Sequence, residues 1–132
     1  MSIDRHPITA DGAPAALGPY SHAVRSGGLL FLSGQTPVDP ATGTLVDGDV
    51  GAQTRRCLEN LELVAAAAGA RLHDAVRCGI YVTDMSDFPE VNAVYGTFFS
   101  DAPPARSTIG VAALPLGARV EIDAIVAVGD RA

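Results

Sequence analysis

A chain of 132 residues, 48% hydrophobic and with a net charge of -6, is the size of one domain and apolar enough to build a core without disulfides or metal. Its acidic balance lacks the cationic footprint that phosphate backbones require, which argues against nucleic acid as a partner, and no apolar run approaches membrane-spanning length. The hydrophobic share is high for a soluble monomer and implies that part of the surface is hidden between subunits.

The opening "MSIDRHPITADG" is polar and lacks the apolar run of a signal peptide, so a cytoplasmic protein is expected. "ADGAPAALGPY", residues 10–20, reads as an ordered loop. "SHAVRSGGLLFLSG", 21–34, reads as a hairpin with Gly27 and Gly28 at its turn, and "DPATGT", 39–44, as a second turn. "DVGAQTRRCLENLELVAAAAGA", 49–70, is predicted helical. Cys57, Leu58, Leu61, Val64, Ala65 and Ala68 recur at helical spacing, Asp47 or Asp49 caps the start, and Gly69 stops it.

"DAVRCGIYVTD", 74–84, is predicted as a strand, with Val76, Cys78, Ile80 and Val82 on one face and Arg77, Gly79, Tyr81 and Thr83 on the other. A second helix is predicted over "DFPEVNAVYGTFFS", 87–100. Asp87 and Glu90 would form its capping box, and Val91, Val94, Tyr95, Phe98 and Phe99 its buried stripe. Two strands follow, in "PPARSTIGVAAL" and "ARVEIDAIVAV", separated by a "PLG" turn. Strand, strand, helix, strand, helix, strand, strand implies an α+β protein: one mixed sheet with two helices on one face.

In the last strand Val120, Ile122, Ala124, Val126 and Val128 share one face, and Glu121, Asp123, Ile125 and Ala127 the other. That second face is too apolar for a solvated sheet surface and is expected to meet another subunit over part of its length. Cys57 and Cys78 fall in apolar periodic segments and read as buried free thiols. His6, His22 and His73 show no metal-ligand spacing, no glycine pattern matches a phosphate-binding loop, and no nucleophile elbow is present. What remains is polar residues in apolar settings. Arg106 begins a strand after two prolines and suits a carboxylate in bidentate geometry; the alternative is a structural ion pair with Glu121 or Asp123. Glu121 and Asp123 read either as a solvated strip or as site carboxylates. Tyr20 is a packing aromatic or a pocket wall, Asn92 a helix-surface amide, and Gly34 a strand end or a close approach to ligand.

The chain resembles the Rid family, the YjgF-like reactive-intermediate deaminases, over nearly its whole length. The matching stretches are "GPYS" at 18–21, "SGQTPVDPATG" at 33–43, "NLELVAAAAG" at 60–69, "VTDMSDFPEVNAVYGTFF" at 82–99, "PPARSTIGVAALP" at 103–115 and "VEIDAIV" at 120–126. The resemblance implies a single domain over 1–132 with a chorismate-mutase-like fold, in a homotrimer whose sheets face inward around three inter-subunit clefts. It implies hydrolysis of 2-imino acids, tautomers of enamines, to 2-keto acids and ammonia, with no cofactor, and small imino or keto acids as the only partners beyond the trimer. By the same resemblance Arg106 is the carboxylate clamp and Glu121 the acidic residue that positions water and handles protons. Tyr20 walls the pocket, the backbone of Ser33 and Gly34 approaches the ligand, Asn92 lies near the cleft, and the Thr108 backbone lines it.

Two positions depart from the family pattern: Thr108 stands where relatives often carry cysteine, and His22 where many carry glutamine, a change that is either neutral or makes the cleft entrance pH-sensitive. Three rival readings accompany the imine deaminase: a non-catalytic trimer that binds small carboxylates, a deaminase for aminoacrylate-type or larger enamines, and an endoribonuclease. The acidic balance disfavours the last.

Overall fold

The computed structural model describes residues 2–129; Met1 and residues 130–132 of the expected domain span lie outside the described residues. Six strands form one sheet: β1 (His6–Ile8), β2 (Ala23–Ser26), β3 (Leu29–Gln35), β4 (Ala75–Val82), β5 (Ala105–Gly110) and β6 (Val120–Ala127). Their spatial order is β1-β2-β3-β6-β4-β5, so the last strand in sequence lies in the middle of the sheet. β4 and β5 pair in parallel and the other neighbours antiparallel. A parallel pair needs a long crossover, and α2 (Phe88–Phe98) supplies it. With α1 (Val50–Ala67), α2 covers one face of the sheet, as the strand and helix order predicts.

The core lies between the helices and that face. Leu58 and Leu61 of α1 meet Leu30, Ile80, Ile122 and Val126 from the strands, and all are fully buried. Truncating such a residue, as in Leu61→Ala, is expected to cost about 2–5 kcal/mol, through lost transfer energy and the cavity left behind. Cys57 and Cys78 are buried free thiols. Burial pushes the Cys57 thiol well above its ordinary range, and the thiol donates to the Val120 carbonyl at 3.6 Å. Among the described residues no helix is long and apolar enough to cross a membrane.

The local signals resolve in detail. The hairpin turns at Gly27, whose φ of +59° suits glycine. Asp49, rather than Asp47, caps α1 by accepting from Ala52 N–H at 2.9 Å, and Gly69 follows the helix at φ +72°. Three expectations are corrected. The Asp87–Glu90 capping box does not form: Arg119 donates to both Asp87 oxygens at 3.0 and 3.1 Å, and Glu90 instead accepts from Gly51 N–H at the start of α1, at 3.1 Å. Both carboxylates are claimed by partners distant in sequence. Val76 is not on the core face, because the register with β6 skips it between Ala75 and Arg77 and leaves it 44% exposed. β1 is an additional strand: three residues with Pro7 at their centre offer no alternation to read, and they hold an edge where proline is tolerated.

Candidate functional site

The sheet face away from the helices carries both apolar and charged groups. Phe31 (42% exposed) pairs with Ile125, and Ile109 (50% exposed) stands in register with Tyr81 and, one strand further, Glu121. On this face Glu121 and Asp123 follow one another along β6, yet their surroundings differ. Asp123 is fully engaged: it accepts from Gly79 N–H at 3.0 Å and from the Tyr81 hydroxyl at 2.9 Å, with Arg77 at 3.8 Å. The Tyr81 hydroxyl is held above its ordinary value by that bond to the carboxylate.

Glu121 receives no such partners among the described residues. Burial raises its carboxyl above the usual range, and the neighbouring charge of Asp123 adds to the effect. Its carboxylate lies against Gly34 of β3, where a Cβ would collide with it. Gly34 falls where the β3–β6 register shifts, so the strand bulges just where the acid needs room. A pocket of about 400 Å3 opens there, lined by Glu121, Gly34, Ser33, Thr36, Tyr20 and Pro115, with Leu17 at its margin. The Ser33 hydroxyl donates to the Ser21 carbonyl at 2.6 Å and ties β3 to the loop that carries Tyr20. The Tyr20 hydroxyl accepts from Leu17 N–H at 3.1 Å, which leaves its own proton to donate into the pocket.

Arg106 lies elsewhere. It pairs in register with Cys78, whose side chain is in the core, so it projects from the helix-covered side at the free edge of β5. Its guanidinium stacks on Tyr95 at 4.9 Å and on Phe88 at 5.5 Å, contacts worth about 0.5–1 kcal/mol each at an exposed site. Asn92, Tyr95, Phe99, Pro103 and Pro104 complete a second pocket of about 410 Å3 around it. Asn92 Oδ1 in this pocket and Thr108 Oγ1, two residues beyond Arg106 on β5, are buried without a partner, while the Tyr95 hydroxyl meets only the Cys78 thiol. Burial pushes the Tyr95 hydroxyl far above the ordinary phenolic value. Buried orphans are rare enough to require an explanation, and the Asn92 oxygen in the pocket of Arg106 marks a place for a ligand or water.

The structure therefore brings Tyr20, Ser33, Gly34 and Glu121 together, and separately Asn92, Arg106 and Thr108. It does not join the two groups within one chain. β6 and β5 are separated by β4, roughly 10 Å of sheet at the usual strand spacing, and the two side chains leave opposite faces. The ion pair weighed between Arg106 and Glu121 or Asp123 is thereby excluded; Arg77 is the cation beside Asp123. His22 does not line the Glu121 pocket; it is buried, on the floor of a separate hollow behind Tyr20. Ala10 N–H donates to its Nδ1 at 3.0 Å, so the proton is on Nε2, which donates to the Pro14 carbonyl at 2.8 Å. Thr36, Pro115, Tyr95 and Phe88 join the site without having been singled out from sequence. The Tyr95 ring had the helical spacing of a core residue, and nothing local distinguishes a core ring from one that also carries a guanidinium. Among the described residues no group of three His, Cys, Asp or Glu is placed to hold a metal ion.

Comparisons with known proteins agree with this fold. Residues 10–128 match the family model described as endoribonuclease L-PSP. The protein DfrA of Myxococcus xanthus is 55% identical, over 92% of this chain and 94% of its own length. The 2-iminobutanoate/2-iminopropanoate deaminase of Mus musculus is 44% identical, over 97% of this chain and 95% of its own. Among solved structures, a protein of the conserved Rid family from Yersinia pestis superposes with a TM-score of 0.90 at 42% identity, covering 94% of this chain and 99% of that one.

Proposed function

Because the chain belongs to the Rid (YjgF/RidA) family, we propose that it hydrolyses 2-imino acids to 2-keto acids and ammonia in clefts that neighbouring subunits of a homotrimer build together. The observation that carries this reading is the division of the site: an arginine with unpaired polar neighbours on one side of the sheet, an unpaired carboxylate in a pocket on the other. Neither half is complete alone. The exposed edge of β5 and the apolar bare face, with Phe31 and Ile109, are surfaces that a second copy would cover. Docking that edge on a neighbour's bare face would bring Arg106 of one chain to Glu121 of the next.

The chemistry then follows from the groups. Arg106, held flat by Tyr95 and Phe88, grips the substrate carboxylate in bidentate fashion, flanked by Asn92 and Thr108. The imine carbon is thereby held near Glu121, which turns an encounter into a positioned reaction. Glu121 takes a proton from water as the oxygen bonds to the imine carbon and passes it to nitrogen; it then takes the adduct's hydroxyl proton and returns it to the nitrogen as the C–N bond breaks, so that ammonia leaves and the 2-keto acid remains. Tyr20 donates its hydroxyl proton to the adduct oxygen or to the nitrogen. Neither half-site is lined by a histidine, so the acid and base pair of a metal-free ribonuclease has no counterpart there.

The test generates imines with an amino-acid oxidase and follows their decay. Arg106→Ala and Glu121→Gln are each expected to lose about 100-fold or more. Mixed trimers assembled from equal amounts of the two variants should regain up to about a quarter of wild-type activity, because some clefts receive an intact arginine and an intact glutamate. An Arg106→Ala variant as fast as wild type would refute the clamp; mixed trimers with no recovery would refute the shared cleft. Tight binding of keto acids with no turnover would favour the carboxylate-binding regulator.

A further inference from the structure

A second void adjoins the Glu121 pocket at Tyr20. This void of about 200 Å3 shares Leu17, Tyr20, Gly34 and Thr36 with that pocket and is walled beyond them by Pro14, Ala15, Val38, Pro40 and Gly43, with Gln35 as the one further polar residue. Its volume is several times the share of one water in the liquid, about 30 Å3. No charged side chain lines it.

The walls of this annex are fixed from both sides. Asn60, wholly buried on α1, donates through Nδ2 to the carbonyls of Thr36 at 3.3 Å and Val38 at 2.9 Å. The turn beyond is closed by Val46 N–H to Pro37 O at 2.9 Å and Asp39 N–H to Thr44 O at 2.8 Å. Opposite, the two bonds of His22 hold Ala10 and Pro14. A preformed, uncharged recess next to a polar site is the ordinary anatomy of a side-chain subsite.

We propose that this annex receives the substrate's side chain and selects 2-imino acids with an extended, uncharged apolar side chain, of leucine or methionine type, over the alanine-derived imine. This inference rests on the reading of the Glu121 pocket as a reaction site. With the carboxylate gripped from the neighbouring chain and the reacting carbon at Glu121, the third substituent needs a separate recess, and this void adjoins the pocket across four shared lining residues. Ala15 lines the annex but not the Glu121 pocket, and it is exposed, so enlarging it narrows the recess without disturbing the core.

The experiment compares kcat/KM for imines generated from leucine, methionine and alanine. Each buried methylene is worth about fourfold, so the longer imines are expected to be favoured by at least about tenfold in wild type. Ala15→Phe should erase that preference while leaving the alanine-derived rate within about twofold, and Ala15→Leu should fall between. Should imine hydrolysis be absent altogether, the proposed function fails, but calorimetry with 4-methyl-2-oxopentanoate and pyruvate still decides the annex. Tighter binding of the longer acid, lost in Ala15→Phe, supports it. Equal treatment of long and short side chains by wild type, equal losses for both in Ala15→Phe, or no binding of either acid by an inactive protein overturns it.

Discussion

Glu121 and Asp123 share a strand and a face, and they differ by one methylene, yet one is spoken for and the other is not. Asp123 sits beside Gly79, whose missing side chain lets the carboxylate reach the Gly79 N–H, and it takes the Tyr81 hydroxyl as well. Glu121 sits beside Gly34, whose missing side chain also makes room, but the space opens into a pocket instead of onto a donor. The lesson is that a glycine on the neighbouring strand can serve two ends. At Gly79 it lets the sheet satisfy an acid; at Gly34 it keeps an acid unpaired and raised in pKa. A raised carboxyl beside a cleft is suited to take and return a proton, whereas a fully bonded one is suited to hold strands in register.

Several substitutions break or sharpen this contrast. The largest effect is expected for Glu121→Gln, which should lower imine hydrolysis by about 100- to 10,000-fold while circular dichroism and oligomer size stay as in wild type. Gly34→Ala comes next: its Cβ must push the Glu121 carboxylate aside, and a loss of about tenfold or more in kcat is expected, since small displacements of a reacting group are costly. A variant with wild-type kcat would show that the carboxylate position is not critical. Asp123→Ala should do the reverse. It strands the Gly79 N–H and the Tyr81 hydroxyl and is expected to cost about 1–3 kcal/mol in denaturant unfolding, with activity largely kept.

Subtler still is Asp123→Asn, which removes the charge that helps to raise Glu121. The acid limb of the kcat/KM profile should move to lower pH; an unmoved limb would mean that burial alone sets it. The smallest effect concerns stability and pH. Glu121 has a folded pKa above its ordinary value, so its contribution to stability is full below the ordinary carboxylate range and is lost as pH rises through the raised pKa. The melting temperature of Glu121→Gln should therefore gain on wild type as pH rises through that window. A gap independent of pH would contradict the raised pKa.

How much of this was legible in the sequence depends on the range of the interaction concerned. The stop of α1 at Gly69 and the hairpin turn at Gly27 were readable because each is set by the conformational freedom of one residue. The fate of Asp87 and Glu90 was not, because their local pattern fits a capping box while Arg119 and Gly51 compete from elsewhere. Val76 fits the alternation of its strand but is expelled by a bulge that only pairing with β6 creates. Arg106 and Glu121 were singled out from residue type and from resemblance. Their separation by an intervening strand and a whole sheet thickness was hidden, since strand order is not written in any segment.

The sequence by itself determined which residues share a face. Along a strand side chains alternate, so Glu121 and Asp123 had to point away from Val120, Ile122 and Ala124 wherever the strand came to lie. Only the tertiary structure decided what those residues meet. The C-terminal strand inserts between β3 and β4, and that placement sets Gly34 against one carboxylate and Gly79 against the other. Alternation is a property of one backbone, whereas neighbours belong to a sheet assembled from strands far apart along the chain.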